Sequence, residues 1–428
     1  MLASAGKWQI PGCPWKPSPA KVRGFFLLAA LMLALFSCTR PMVKPAPESP
    51  TAREPTIRVL LTSGSEDQLQ FNGTYRLAAE EADYLLDASH GQFQVSVHNH
   101  RIVLKSPARF FDLVDPQPLT FDPVSPKASF VWNGHSYRGR LILILSNGQF
   151  QAINQLPVEA YLLGVVPNEM PSGNPEYREA VRAQAVAART YALHRLQHPA
   201  GEQFDVFSTV QDQVYWGSGG RIPELVQEAV EATRGEVLVA EGQPAAIQYH
   251  STCGGILEPP IQNDSAASAQ PDSSEGLFHC SASPLYRWVE KRTVSQLLHN
   301  LAAVDGSAAK ELPGWQKKGV QVALHVRERS PSGRVALLDV EVDSRHFPQR
   351  GYGVRQVLAD SLGRPLPSRL FFLLKSQKNP ALFYIIGAGW GHGRGMCQWG
   401  ALGMALNGNG YRNILHFYYP NLTLKKLY

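Results

Sequence analysis

Apolar positions along the chain change period near Leu156, and the change divides the sequence. Before it, short β-branched or apolar runs stand between Gly, Asn and Pro: IRVLL (57–61), FQVSVH (93–98), RIVLK (101–105) and RLILIL (140–145). These predict strands. The one helix candidate in this half is Ala78 to Leu86. Beyond Leu156 the pattern is mixed. A helix over Val158–Leu163 leads into a Pro-bounded turn carrying Glu169, and a longer helix follows. Asn174 is its N-cap, Pro175 suits the first helical position, and Glu176 sets negative charge in the first turn. Ala180, Ala183, Ala187 and Tyr191 then recur at helical spacing beside the polar Gln184. So many alanines predict a slender helix that admits close neighbours. Taken alone, this run reads as well for core packing as for a site.

Downstream, a polar loop (198–220) precedes a helix over Pro223–Thr233 and strands over Glu236–Ala240 and Ala245–His250. Residues 258–284, rich in Ser, Ala, Pro, Asp and Gln, predict a surface loop pinned at its ends. A helix over Val294–Leu301, strands over Val320–Val326 and Val335–Val342, and a helical segment Gly351–Leu362 come next. Extended segments Leu370–Leu374 and Phe383–Gly387 and a last helix over 397–406 complete the chain. The fold class is α+β, with a β-rich part over 57–155 and a mixed core over 156–428.

Composition narrows the setting. The 428 residues are 44% hydrophobic and 18% charged, which suits a globular protein of ordinary kind. The net charge of +6 favours anionic surroundings, but no Lys/Arg run with interleaved aromatics is present, so nucleic acid is not an expected partner. Lys21 and Arg23 precede the apolar run Phe25–Phe36, short for a membrane span and suited to a signal peptide. Ser37 before Cys38 resembles a lipobox. The expected arrangement is a lipoprotein signal (1–37), lipidation at Cys38 and a Pro-rich tether (38–56); a short uncleaved anchor is the alternative. Thr39, where an inner-membrane retention signal would place Asp, points to the outer membrane. The remaining chain is then expected in the periplasm.

Five cysteines are present. Cys13 leaves with the signal, which leaves Cys253, Cys280 and Cys397. An oxidising compartment favours a Cys253–Cys280 disulfide with Cys397 free and buried. A zinc set of His250, Cys253, His279 and Cys280 is the rival, with ligand types that suit zinc and a spacing that matches no strong signature.

Two further motifs carry chemistry. GAGWGHGRGMCQWGALGMA (387–405) has five glycines in its first nine residues, which let backbone approach a ligand closely. His392 between two glycines is expected to be exposed in a cleft. Trp390 and Trp399 offer flat apolar faces for sugar rings, and Gln398 can bond hydroxyls. No GK[ST] follows, which argues against a nucleotide cradle. In QYHSTCGG (248–255), His250 and Ser251 are neighbours that point to opposite faces of a strand, which excludes a serine hydrolase.

VVPNEMP with EAVRAQAVAARTYAL, QVYWG (213–217), HSTCGG and GWGHGRGMCQWGA together resemble the stage II sporulation protein D / LytB family, in order across residues 57–428. The resemblance implies an α/β core with a glycan-binding groove. Its members are peptidoglycan lytic transglycosylases or modifiers of a cell-wall amidase. It implies glycan strands as substrate, an amidase as possible partner, no cofactor, and Glu169 as catalytic acid/base. His392, Gln398, Trp399, Trp390 and Tyr215 of QVYWG become the expected glycan contacts. Flanking Val165, Val166, Met170 and Pro171 would desolvate the carboxyl and raise its pKa. Some relatives hold zinc in the loop before QVY; here FDVFSTVQD has no thiol, and no metal is expected.

Overall fold

The computed structural model describes residues 53–428 apart from 79–82, 108–109, 114–117, 260–267 and 275. The signal segment, Cys38 and most of the tether lie outside the described residues. Strand Thr56–Gly64 runs antiparallel to Gln149–Pro157, with Ile57 opposite Leu156 and Val59 opposite Asn154. Arg140–Ser146, Leu119–Pro123, Tyr75–Ala78 and Asp83–Leu86 extend that sheet on one side, and Val206–Phe207 on the other. A second sheet is built from His135–Arg138, Ser129–Trp132, Glu66–Asn72, Phe93–His98, Arg101–Lys105 and Phe110–Leu113, in that order. Period-two alternation buries one face of each sheet, and both faces contribute to one core. Aromatic rings fill it: Phe71 lies 5.6 Å from Phe121 of the other sheet, and Trp132 meets Phe150 edge-on at 5.7 Å.

Of the stretch Ala78–Leu86 expected as a helix, the described residues are strand instead: Tyr75–Ala78 pairs with Asp83–Leu86. Tyr75 and Leu77 are buried while Arg76 between them is exposed, which is strand periodicity.

The helices described are α1 (Val158–Glu169), α2 (Arg178–Gln197), α3 (Glu224–Ala232) and α4 (Val294–Val304). They continue as α5 (Gly306–Lys318), α6 (Tyr352–Val357), α7 (Gln398–Leu406) and α8 (Tyr411–Tyr418). None is long and apolar enough to cross a membrane. Sequence patterning gave no expectation of α5 or α8. Helix α1 runs past its expected end at Leu163 and through Pro167. A proline in the final turn removes only one hydrogen bond, and the helix closes with Met170 N–H on the Val166 carbonyl at 3.0 Å. Glu169 is therefore the last helical residue rather than a turn residue.

Asn174 Oδ1 accepts the Glu176 N–H at 3.0 Å and caps a 3₁₀ turn, Pro175–Tyr177, that leads into α2. Helix α2 is surrounded. Helices α1, α3, α7 and α8 and strand Glu236–Ala240 all pack on it. Its buried residues include Ala180, Ala183, Ala185, Ala187, Ala188 and Ala192. Small side chains around its circumference make that crowding possible.

Buried among them is one charge. Arg189 on α2 makes a two-pronged ion pair with Glu159 on α1, Nε to Oε1 at 2.8 Å and Nη2 to Oε2 at 2.7 Å. The remaining guanidinium donors reach the Val230 and Glu236 carbonyls at 3.2 and 3.1 Å. Glu159 Oε1 also accepts from Gly235 N–H at 3.1 Å and Tyr428 Oη at 2.8 Å.

Residues Trp288–Gly387 build a second hydrophobic core inside the stretch read as one unit from 156 onward. Strands Trp288–Thr293, Leu382–Gly387 and Phe371–Lys375 form one small sheet; Val322–Arg329, Val335–Val342 and Arg345–Arg350 form another. Helices α4, α5 and α6 belong to the same cluster, through residues such as Leu297, Ala308 and Val354. The first strand of this insert pairs with its last, Trp288 opposite Gly387.

Replacing Glu159 by Ala leaves a buried guanidinium without its counter-charge and is expected to cost about 3–5 kcal/mol. Urea denaturation measures it. Glu231→Ala, which removes the more exposed partner of Arg234, is the reference and should cost less than about 1 kcal/mol.

Candidate functional site

Glu169 sits half-buried at the C-terminus of α1. Its Oε1 accepts the backbone N–H of Val214 at 3.0 Å, and its Oε2 accepts Gln398 Nε2 at 3.2 Å. Burial raises its pKa above the ordinary carboxylate value of 4.5, and those two hydrogen bonds pull in the opposite direction. The helix C-terminus, with its partial negative charge, also disfavours the carboxylate form. The carboxyl is thus fixed through both oxygens and inclined to hold a proton.

Three chain segments meet here. Helix α1 supplies Glu169, the QVYWG segment supplies Val214, and the first residue of α7 supplies Gln398. Buried Gln184 of α2, whose Oε1 lies 3.5 Å from Gln398 Nε2, stands behind the contact. A polar chain runs alongside: Tyr161 Oη donates to Gln213 Oε1 at 3.1 Å, and Gln213 Nε2 donates to Tyr249 Oη at 2.8 Å. Gln213 and Tyr249 were missed by sequence reasoning, although each belongs to a motif singled out for its neighbours. Two cavities lie elsewhere, one between α4 and α5 by Leu298 and Trp315, one beside α1 and α3 by Pro157 and Glu231. Neither includes Glu169.

The glycine loop places its residues differently from expectation. His392 is half-buried, not exposed, and both ring nitrogens are committed. Nε2 donates to the Tyr249 carbonyl at 3.1 Å and Nδ1 accepts the Arg394 N–H at 3.1 Å. Burial and the neighbouring Arg394 push its pKa down to about 4, so the ring is neutral. His392 clasps the loop to the Tyr249–His250 strand, which runs parallel to Met396–Cys397. Gly395 (φ +64°) is required there, because a Cβ would lie 1.9 Å from the Gln248 carbonyl oxygen.

Tyr215 is a correction. It is fully buried, with its hydroxyl on Asn154 Oδ1 at 2.7 Å and its ring against Tyr161, so it cannot meet a polymer in solution. The exposed aromatic of that motif is the next residue, Trp216, stacked on His135 at 5.4 Å. Trp390 is about half exposed and its backbone bridges to Thr252, whereas Trp399, next to Gln398, is partly buried.

The loop before QVY does not fit a metal. Asp212 is consumed by the Phe207 N–H at 2.8 Å, Arg195 at 3.1 Å and the Tyr191 hydroxyl, and Asp205 by Arg58 at 2.7 Å. The expected Cys253–Cys280 disulfide is not formed. Both are free thiols with their sulfurs 3.4 Å apart, and Cys397 is not separate but accepts the Cys253 N–H at 3.2 Å. Three sulfurs share one buried pocket, so the fold assembles a trio where a pair was expected. The rival set is not assembled either: His250 bonds the Arg394 carbonyl at 3.0 Å, and His279 packs on Phe417.

The chain resembles known proteins across this same core. A profile described as Stage II sporulation protein matches residues 146–239, which span α1, α2 and Val214, and one described as a domain of unknown function (DUF8618) matches 263–395. An uncharacterized protein of Brachyspira hyodysenteriae is 32% identical over 296 residues, 69% of this chain and 74% of that one. Stage II sporulation protein D of Bacillus subtilis is 27% identical over 64% of this chain and 76% of its own length. The amidase enhancer of Bacillus subtilis is 27% identical over 61% of this chain, but only 40% of the enhancer is covered. With the motifs and the site they build, these matches lead to one statement of kinship: the chain belongs to the stage II sporulation protein D / LytB family.

Proposed function

We propose that the protein is a lytic transglycosylase that cuts the glycan strands of peptidoglycan through Glu169. The observation that carries this reading is a single half-buried carboxyl, held through both oxygens, with its pKa raised by burial. The reaction needs one such group. As acid, Glu169 gives its proton to the glycosidic oxygen between MurNAc and GlcNAc while the bond from C1 to that oxygen breaks. As base, it takes the proton of the MurNAc C6 hydroxyl, whose oxygen closes on C1 to give the 1,6-anhydro ring. The substrate supplies the nucleophile, so a second carboxylate is not required, in contrast to the two-carboxylate hydrolases.

Gln398 fixes the carboxyl and tunes it, since its hydrogen bond to Oε2 favours the charged form. Trp390 and Trp216 are the exposed aromatic faces for sugar rings, with Trp399 beside Gln398. Lipidation at Cys38, with the core held in the periplasm by the tether, is part of the same proposal and brings the site to the wall. The match to an amidase enhancer favours one second reading, a glycan-binding protein that stimulates an amidase without cutting.

Purified protein incubated with peptide-stripped and with intact glycan strands should release products with anhydroMurNAc ends, read by mass spectrometry. Glu169→Gln should lower their formation at least ~100-fold while leaving thermal unfolding cooperative. Product-free incubations combined with stimulation of a wall amidase would select the second reading.

The pH profile carries the sign of the shift. The acid step needs protonated Glu169, so the rate should fall as pH rises through the raised pKa, above the usual 4.5. Gln398→Leu removes a contact that lowers this pKa, and the alkaline limb should move to higher pH. An unmoved or acid-shifted limb would show that Gln398 does not act on Glu169.

A further inference from the structure

Cys253, Asp272, Cys280 and Cys397 are all buried, and each offers one ligand atom within 4.8 Å of the other three. Cys253 Sγ stands 3.4 Å from Cys280 Sγ and 2.9 Å from Asp272 Oδ2. A tetrahedral thiolate site with metal–sulfur bonds of about 2.3 Å has edges of about 3.8 Å, so the cluster has the size of such a site. We propose that these four residues bind one zinc-class divalent cation that clamps the start of α7. This is separate from the loop before QVY, and it does not rest on glycan cleavage.

Backbone donors face two of the sulfurs. Gly255 N–H points to Cys253 Sγ at 3.3 Å, Cys253 N–H to Cys397 Sγ at 3.2 Å and Gly400 N–H to Cys397 Sγ at 3.3 Å. A neutral thiol is a weak acceptor, and three backbone donors aimed at two sulfurs are better spent on anions. Cys397 is also the N-cap of α7, where the helix dipole favours negative charge. Asp272 is braced as a ligand carboxylate would be: Oδ1 accepts Tyr418 Oη at 2.8 Å and Oδ2 faces the sulfurs. The packing admits no side chain at Gly400, where a Cβ would lie 2.0 Å from Tyr418 Oη and 2.8 Å from the Asp272 carboxylate.

A disulfide explains less. It would use two sulfurs and leave a third thiol and a buried carboxyl against them with no common purpose. The nearby Arg334 does not neutralise the group, since it donates to the Cys253 and Ile256 carbonyls and faces Glu258. Three thiolates and one carboxylate match a borderline-soft cation, and four protein ligands make a closed, structural site with no open position. The ligands come from four places, and the whole insert lies between Cys280 and Cys397. Gln398, which touches Glu169, follows the last ligand directly. The cation would therefore hold both the base of the insert and one wall of the site.

The test uses the full chain, purified without chelator after export. Elemental analysis should find one zinc per chain. Titration with a strong chelator should release that zinc together with a gain of three reactive thiols, and cobalt exchange should give thiolate-to-metal charge-transfer absorption. Cys397→Ser and Asp272→Asn should each lower zinc retention. Because a ligand variant can fail to fold, the chelator titration of the unaltered chain decides. A metal-free chain with the mass deficit of a disulfide would overturn the proposal. So would zinc release without any change in thiol reactivity.

Discussion

A guanidinium with no access to water grips an equally buried carboxylate, and the helical core is arranged around that contact. Arg189 comes from the middle of α2 and Glu159 from the first turn of α1. Taking both charges out of water is costly, so the geometry has to be good and the spare donors and acceptors have to be filled. They are, by the end of α3, the Glu236 strand and the C-terminal Tyr428. The pair thus fixes the azimuth and depth of α1 against α2. Glu159 opens α1 and Glu169 closes it, so the same constraint that orders the core also aims the carboxyl at its far end.

The site is then an intersection of chain segments. Each group that touches Glu169 arrives from a different part of the chain and is itself held from behind. Val214 is placed by a segment whose Tyr215 is locked into the sandwich through Asn154. Gln398 is placed by a helix start that is pinned by buried sulfur contacts. His392 contributes as a strut, with both nitrogens spent on backbone. Precision at one carboxyl is distributed over the β sandwich, the helical layer and the glycine loop.

Much of this was legible in the residues. Strands of the first half and the helix α2 follow from period, and Asn174 reads as a cap, although it caps the 3₁₀ turn that leads into α2. What failed had identifiable causes. Tyr75–Ala78 and Asp83–Leu86 are each too short to show a period, and their pairing, Tyr75 opposite Leu86, makes them strands. Pro167 looked like a stop, but in a last turn a proline loses little, so α1 reached Glu169. Tyr215 and Trp216 are adjacent aromatics in a segment without regular structure, so no periodicity in the residues says which one is buried. For the cysteines, the expected oxidising compartment suggested a pair with Cys397 apart; the parallel pairing of Met396–Cys397 with Tyr249–His250 brings the third one in.

The insert begins and ends on neighbouring strands, Trp288 opposite Gly387. Its points of entry and exit are therefore fixed to each other before anything else about it is specified. Whatever is built beyond them can lengthen, shorten or change its fold without altering the separation of the two chain ends that the other core must receive. It is grafted at a single stem. A change of length beyond the stem therefore leaves the register of the other core, and of Glu169 within it, as it stands.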